Sequence, residues 1–190
     1  MKEEQFTPQN ILMAYSNGYF PMAHEDENNE IYWHRPQKRA VFLLDEFEPK
    51  KDIQKLLTKS KFDFSINSSF EQVIAGCASR DSTWISEDIK NQYIQLNKMG
   101  YAYSFEAWYK KELVGGLYGI VLGKAFFGES MFHTMPDASK ATFGYLISEL
   151  KAKDFLILDS QYLNSFTKQL GAIEISDERY MKILQDALQI

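Results

Sequence analysis

Apolar positions in this chain fall into short runs of two periods, near 3.6 and 2, and the switches between them mark the elements. Thr7 before Pro8, with Ile11, Leu12 and Tyr15 on one face and a stop at Asn17-Gly18, predicts a first helix. A loop carrying Phe20-Pro21-Met22 and the acids Glu25, Asp26, Glu27 and Glu30 precedes Tyr32-Trp33 and the basic His34-Arg35-Pro36. Residues 40–44 read as a buried strand, about 50–59 as a short helix, and the alternation of Phe62, Phe64 and Ile66 as another strand. Ser68 with Glu71 forms a capping-box pattern for a helix ending near Ser79, and residues 80–85 read as a loop. Ser86, followed by Glu87 and Asp88, opens a helix closed by Gly100. Three antiparallel strands are expected over residues 102–132, with turns at Lys110-Lys111-Glu112 and Gly123-Lys124. A helix over about 138–151, a strand over 155–159, a helix to Gly171, a strand over 172–175 and a helix from Ser176 complete the pattern.

The chemistry concentrates in residues 113–132, LVGGLYGIVLGKAFFGESMF. Gly115 and Gly116 interrupt one strand of this hairpin, where glycines mark bulges or the close approach of a ligand or another backbone. The other strand sets Glu129 between Phe126-Phe127 and Met131-Phe132, where a carboxylate loses hydration and needs a partner. About thirty residues on stands Asp159-Ser160-Gln161. Taken singly, Gly-Gly is a bulge, a lone Glu an edge charge, and Asp159 with Gln161 a strand-end turn and helix cap. Their coincidence favours a site.

Composition adds limits. With 190 residues, 45% hydrophobic and 15% aromatic, the chain can bury a full core, as one domain or as a main domain with a small companion. We place the division near residues 59–61: a small N-terminal domain over 1–60 and a catalytic domain over 61–190. No run approaches the roughly 18 apolar residues of a membrane span, and MKEEQFTPQN lacks the apolar core of a signal peptide. The single Cys77 excludes an intrachain disulfide and fits a cytoplasmic location. His24, His34 and His133 show no metal-ligand spacing, so no metal is expected. A net charge of −5 argues against bulk nucleic-acid coating. Residues 35–61 nevertheless carry eight bases against four acids, enough to hold a few phosphates.

A strand meander followed by helix, strand, helix and strand is the element order of a mixed α+β acyltransferase (GNAT-like) core. The segment opening the central helix, residues 133–140, has no glycine and includes Asp137, a poor cradle for the pyrophosphate of acetyl-coenzyme A. No cofactor is expected. ILMAYSNGYFP, YWHRPQKRAV, CASRDSTWI, ELVGGLYGI, FFGESMF, ASK, LDSQ and LGA occur in the order and spacing of one family. Across nearly its whole length the chain resembles the leucyl/phenylalanyl-tRNA–protein transferases. The departures are small: Tyr103-Ser104-Phe105-Glu106 replaces a family His-Ser-Ile/Val-Glu, Ser160 replaces a cysteine, and His34 to Lys38 differ while Arg39 is kept.

The resemblance implies transfer of Leu, Phe or Met from aminoacyl-tRNA to the N-terminal Lys or Arg of a protein, marking it for degradation. It implies Glu129, Gln161 and Asp159 as catalytic residues. Gln161 would accept a hydrogen bond from the attacking amine, Asp159 would anchor and polarise the Gln161 NH₂, and Glu129 would hold the cationic amine or the reacting end of the ester. Trp33 and Trp84 would lie by the terminal adenosine, and Leu117, Phe126, Met131 and Leu158 would line the amino-acid pocket. Arg35, Lys38, Arg39 and Arg80 are the expected phosphate contacts. The expected enzyme is a monomer with no membrane partner. Two alternatives stand beside this reading: a cell-wall interpeptide-bridge ligase of the same fold, and a non-catalytic RNA-binding module.

Overall fold

Consecutive residues of the central strands are buried on opposite faces, so helices must cover both sides of the sheet. The computed structural model describes residues 6–23, 31–59, 61–79 and 85–189. Among these, the elements are α1 (Pro8–Ser16), β1 (Phe20–Ala23), β2 (Ile31–His34), β3 (Lys38–Leu43), α2 (Lys51–Thr58), β4 (Asp63–Ile66), α3 (Phe70–Ala78) and α4 (Glu87–Lys98). They continue with β5 (Ala102–Tyr109), β6 (Glu112–Leu122), β7 (Ala125–His133), α5 (Ala138–Ala152), β8 (Ile157–Asp159), α6 (Ser165–Leu170), β9 (Ile173–Ser176) and α7 (Asp177–Leu188). The chain is a mixed α+β protein of the expected acyltransferase type, with a meander β4 to β7, central helix α5 and strand β8.

The main sheet runs β4-β5-β6-β7-β8-β3-β9, and β1 and β2 form a separate hairpin. Its pairs are antiparallel except β7 with β8, which are joined through α5 as a parallel crossover requires. One face packs Val41, Tyr118, Phe127 and Ile157 with Tyr15 of α1, Val73 of α3, Tyr93 of α4 and Leu184 of α7. The other packs Phe42, Leu117, Phe126 and Leu158 with Ile53 of α2, Phe143 and Leu146 of α5 and Leu170 of α6.

The cap signals act as the sequence suggests at three helices: Thr7, Ser86 and Ser176 each accept from a first-turn N–H. The capping box expected at Ser68 and Glu71 does not form. Ser69 is the N-cap without a side-chain bond, and the buried Glu106 of β5 accepts from the Ser69 N–H at 3.4 Å. Glu106 also takes the hydroxyls of Ser104 at 2.5 Å and Ser65 at 2.6 Å, tying β4, β5 and α3 together. The segment around Phe20-Pro21-Met22, read as loop, is strand β1. The division near residue 60 does not coincide with a break in packing: β3 lies between β8 and β9, and α2 packs on α5. Lys140 of α5 contributes to that contact through Asp52 at 3.8 Å.

Gly115 and Gly116 answer to packing. A Cβ on Gly115 would come within 2.8 Å of Ala138, and one on Gly116 within 2.8 Å of Phe132 and Val73. They let α5 and α3 close on the sheet.

Candidate active site

The parallel ladder of β7 and β8 is three residues long and ends at Phe127↔Asp159. Beyond that pair β7 continues to His133 while the chain after β8 turns away, and a cavity of about 830 Å³ opens between them. Phe42, Leu117, Met131, Phe143, Leu158 and Phe166 give it an apolar lobe; Glu129, Ser130, Ser139, Asp159, Ser160 and Gln161 give it a polar side. The Gln161 Nε2 donates to the Gly128 carbonyl at 2.7 Å, closing the gap between the two strands at its base.

Glu129 reaches this cavity because it is the extra residue of a β-bulge. Tyr118 pairs with Ser130 and Gly119 with Gly128, so no residue of β6 stands opposite Glu129. Bulges re-aim a side chain out of the regular alternation. Glycine is required beside it: a Cβ on Gly119 would lie 2.2 Å from the Phe127 carbonyl oxygen and 2.5 Å from the Phe126 ring. The Tyr15 hydroxyl donates to Glu129 Oε1. Burial pushes the Glu129 carboxyl up from its ordinary 4.5 to about 7; hydrogen bonds from Tyr15 and Tyr93 hold it down, nearby Asp159 raises it further, and Arg39 lowers it.

Asp159 is fully buried and fully occupied. Arg39 grips it in a fork, Nε at 2.9 and 3.0 Å and one terminal nitrogen at 2.8 Å, and the Tyr180 hydroxyl donates to it at 2.7 Å. The Arg39 guanidinium lies between the rings of Phe20 at 4.5 Å and Tyr180 at 4.6 Å, with its remaining terminal nitrogen on the Gly18 carbonyl at 3.0 Å. Burial alone would lower the Arg39 pKa, but Asp159 outweighs it and the guanidinium is held charged. The second tie is to backbone: Asp159 accepts from the Gln161 N–H at 2.9 Å, fixing Gln161 in the left-handed region at φ +55°. That geometry orients the Gln161 side chain toward Gly128.

The sequence matches the profile described as "Leucyl/phenylalanyl-tRNA protein transferase" over residues 41–185, and that of the family's N-terminal domain over residues 4–37. The chain belongs to the leucyl/phenylalanyl-tRNA–protein transferase family. A relative of that name from Pelodictyon phaeoclathratiforme is 47% identical over 94% of this chain and 94% of its own length. One from Gloeobacter violaceus is 45% identical over 97% and 95% respectively. Two solved structures share the fold at low identity. FemX matches 88% of this chain and 65% of its own, with 10% identity and a TM-score of 0.59. L-PGS from Bacillus licheniformis matches 95% and 70%, with 13% identity and a TM-score of 0.51.

In this transferase Glu129, Gln161, Asp159, Leu117, Met131 and Leu158 all line one cavity. Phe126 does not: it is fully buried in the layer behind the wall, edge-on to Phe105 at 5.7 Å. Asp159 does not polarise the Gln161 NH₂, which bonds to Gly128; it holds the Gln161 backbone instead. Arg39 is no phosphate contact, since it is 1% exposed and committed to Asp159. Arg35 and Lys38 are exposed, but Arg35 is forked onto Asp177 at 2.9 and 2.8 Å. Trp33 stacks on Phe6 at 5.8 Å and is only partly open, away from the cavity lining. Trp84, Arg80 and the acidic residues 25–30 lie outside the described residues. The sequence singles out none of Phe42, Phe143, Phe166, Tyr93 and Tyr180, and marks Tyr15 only as part of a helix face. The available signal was the placement of tyrosine rather than phenylalanine on apolar helix faces, since a buried hydroxyl needs a polar partner.

Proposed function

We propose that this enzyme transfers Leu, Phe or Met from aminoacyl-tRNA to the N-terminal Lys or Arg of acceptor proteins, forming a peptide bond and marking them for N-degron proteolysis. The observation that carries the reading is a half-buried acid, Glu129, lining the same cavity as an apolar lobe and a neutral amide, Gln161. The apolar lobe suits an unbranched-at-Cβ side chain. Branching at Cβ is penalised by about 1–3 kcal/mol of shape mismatch, so selection among apolar amino acids is graded.

The aminoacyl ester is already activated, and the enzyme's main work is to hold an amine against it, an effect worth about 7–11 kcal/mol. Glu129 receives the acceptor's cationic end, whose arrival compensates a carboxylate that burial disfavours. The Gln161 carbonyl accepts a hydrogen bond from the attacking α-amino group, which has a reference pKa of about 8 and a usable neutral fraction at neutral pH. The amine nitrogen bonds to the ester carbon, the bond from that carbon to the ribose oxygen breaks, and the departing oxygen takes up the proton the amine gives up. Asp159, clamped by Arg39 and Tyr180, keeps Gln161 in place through its backbone. Lys38 and Arg35, both exposed, meet tRNA phosphates, and the enzyme acts as a monomer in the cytoplasm. Among the described residues no helix is long and apolar enough to cross a membrane.

Labelled leucine on tRNA, offered to a reporter beginning with Arg and to the same reporter beginning with Ala, tests the reading. Transfer to the Arg reporter alone, lost in Glu129→Ala, supports it. Tight tRNA binding with transfer to neither reporter overturns it.

A further inference from the structure

Glu129 is held from the far side of the sheet. The face opposite the apolar lobe carries α1 and α4, and each sends one tyrosine toward the bulge. Tyr15 is fully buried, its ring tilted against Phe127 at 4.7 Å, and its helix is pinned at its start by Thr7 and Pro8. Its hydroxyl has one hydrogen-bonded partner described, the Glu129 carboxylate. The charged and titratable groups around that carboxylate are Tyr15 from α1, Tyr93 from α4, Asp159 from β8 and Arg39 from β3. Tyr118 from β6 and Tyr180 from α7 complete the same network. Arg39 is already matched by Asp159 and acts on Glu129 only through its charge, whereas the Tyr15 and Tyr93 hydroxyls donate to the carboxylate directly.

We infer that Tyr15, supported by Tyr93, is a positioning residue of the transfer reaction: its hydroxyl fixes the bulged Glu129 side chain and favours its ionised form for the acceptor's cationic N-terminal residue. The inference rests on the acceptor role of Glu129 proposed above. A hydroxyl can do this at any working pH because burial, with the Glu129 charge, pushes the Tyr15 pKa well above its ordinary 10.0. Donating to a carboxylate favours its ionised form, so the bond opposes the desolvation that the apolar wall imposes. Without the tyrosines the same carboxylate would hold its proton to higher pH and offer the acceptor less charge. The acceptor preference therefore depends on a residue over a hundred positions away in sequence that touches neither substrate.

The test is the affinity of the intact enzyme for a short peptide beginning with Arg, against the same peptide beginning with Ala, across pH. Wild type should gain its Arg preference with a midpoint at about pH 7. Tyr15→Phe keeps the ring and should move that midpoint up by about one pH unit, weakening Arg-peptide binding at neutral pH about fivefold. The KM for leucyl-tRNA should not change. Tyr93→Phe should move the midpoint in the same direction, and it carries the test alone if circular dichroism shows Tyr15→Phe misfolded. An unmoved midpoint, or a loss spread equally over both substrates, overturns the inference. Glu129→Gln separates the two readings. If it binds the Arg peptide as wild type does, the acceptor role of Glu129 is wrong; if it loses the preference while the tyrosine variants do not shift, only the positioning role is wrong.

Discussion

The Glu129 carboxyl binds its proton more tightly in the folded chain, at about 7, than in the unfolded one, near 4.5. Between those values the folded state keeps a proton the unfolded state has shed, so stability falls as pH rises through that window and is flat above it. Ionised Glu129 thus costs the fold about 3 kcal/mol at mildly alkaline pH, a cost that a cation bound there, as proposed above, would offset. Glu129→Gln keeps the shape and a carbonyl for Tyr15 while removing the charge. Denaturation should find it more stable than wild type by about 3 kcal/mol at pH near 8, with the gain vanishing near pH 4.5. A gain independent of pH would show that Glu129 is not the desolvated acid. Arg39 and Asp159 illustrate the opposite arrangement, two buried charges that satisfy each other while Asp159 also holds the Gln161 backbone.

At the scale of elements the site is made by two irregularities, the bulge in β7 and the early end of the β7–β8 ladder. Gly119→Ala tests the first. Its methyl would meet the Phe127 carbonyl oxygen and the Phe126 ring, neither of which can retreat without shifting β7. We expect a loss of at least about 2 kcal/mol in urea denaturation, and a fall in transfer larger than the unfolded fraction explains because Glu129 moves with the strand. Transfer falling only in step with stability would show the bulge to be incidental. Much of this level is legible in the sequence. Helix starts at Thr7, Ser86 and Ser176, the order of elements along the chain and the oddity of Glu129 are local signals. What escapes is non-local. Ser68 and Glu71 have the spacing of a capping box, but Glu106, distant in sequence, reaches the Ser69 N–H instead. Arg39 looks like its basic neighbours until β3 is placed between β8 and β9, where an arginine facing Asp159 is enclosed. Likewise Phe126 and Leu158 are paired strand neighbours of similar character, and only the ladder's end decides that one lines the cavity.

For the whole molecule the open question of charge is how a chain of net −5 holds tRNA. The enclosure of Arg39 removes one base from the surface and leaves Lys38, exposed and two residues from Ala40, whose N–H bonds the Gln161 backbone carbonyl at 3.0 Å. Arg35 stands nearby with its fork turned onto Asp177. Phosphate contacts release counterions, so each one adds about 0.7–0.9 to the slope of log affinity against log salt. Lys38→Ala should weaken tRNA binding and flatten that slope by about one contact's worth, without regard to the amino acid carried. Asp177→Asn should act the other way. It releases Arg35 from an exposed ion pair worth little to stability, about 1 kcal/mol or less, and gives the nucleic acid a fork it otherwise shares. Tighter binding and a steeper slope in that variant are the expected result, measured by titrating labelled tRNA at several salt concentrations. If both variants keep the wild-type slope, the phosphates run elsewhere, and the lysines of α2 and its flanks, Lys50, Lys51, Lys55 and Lys59, become the surface to alter next.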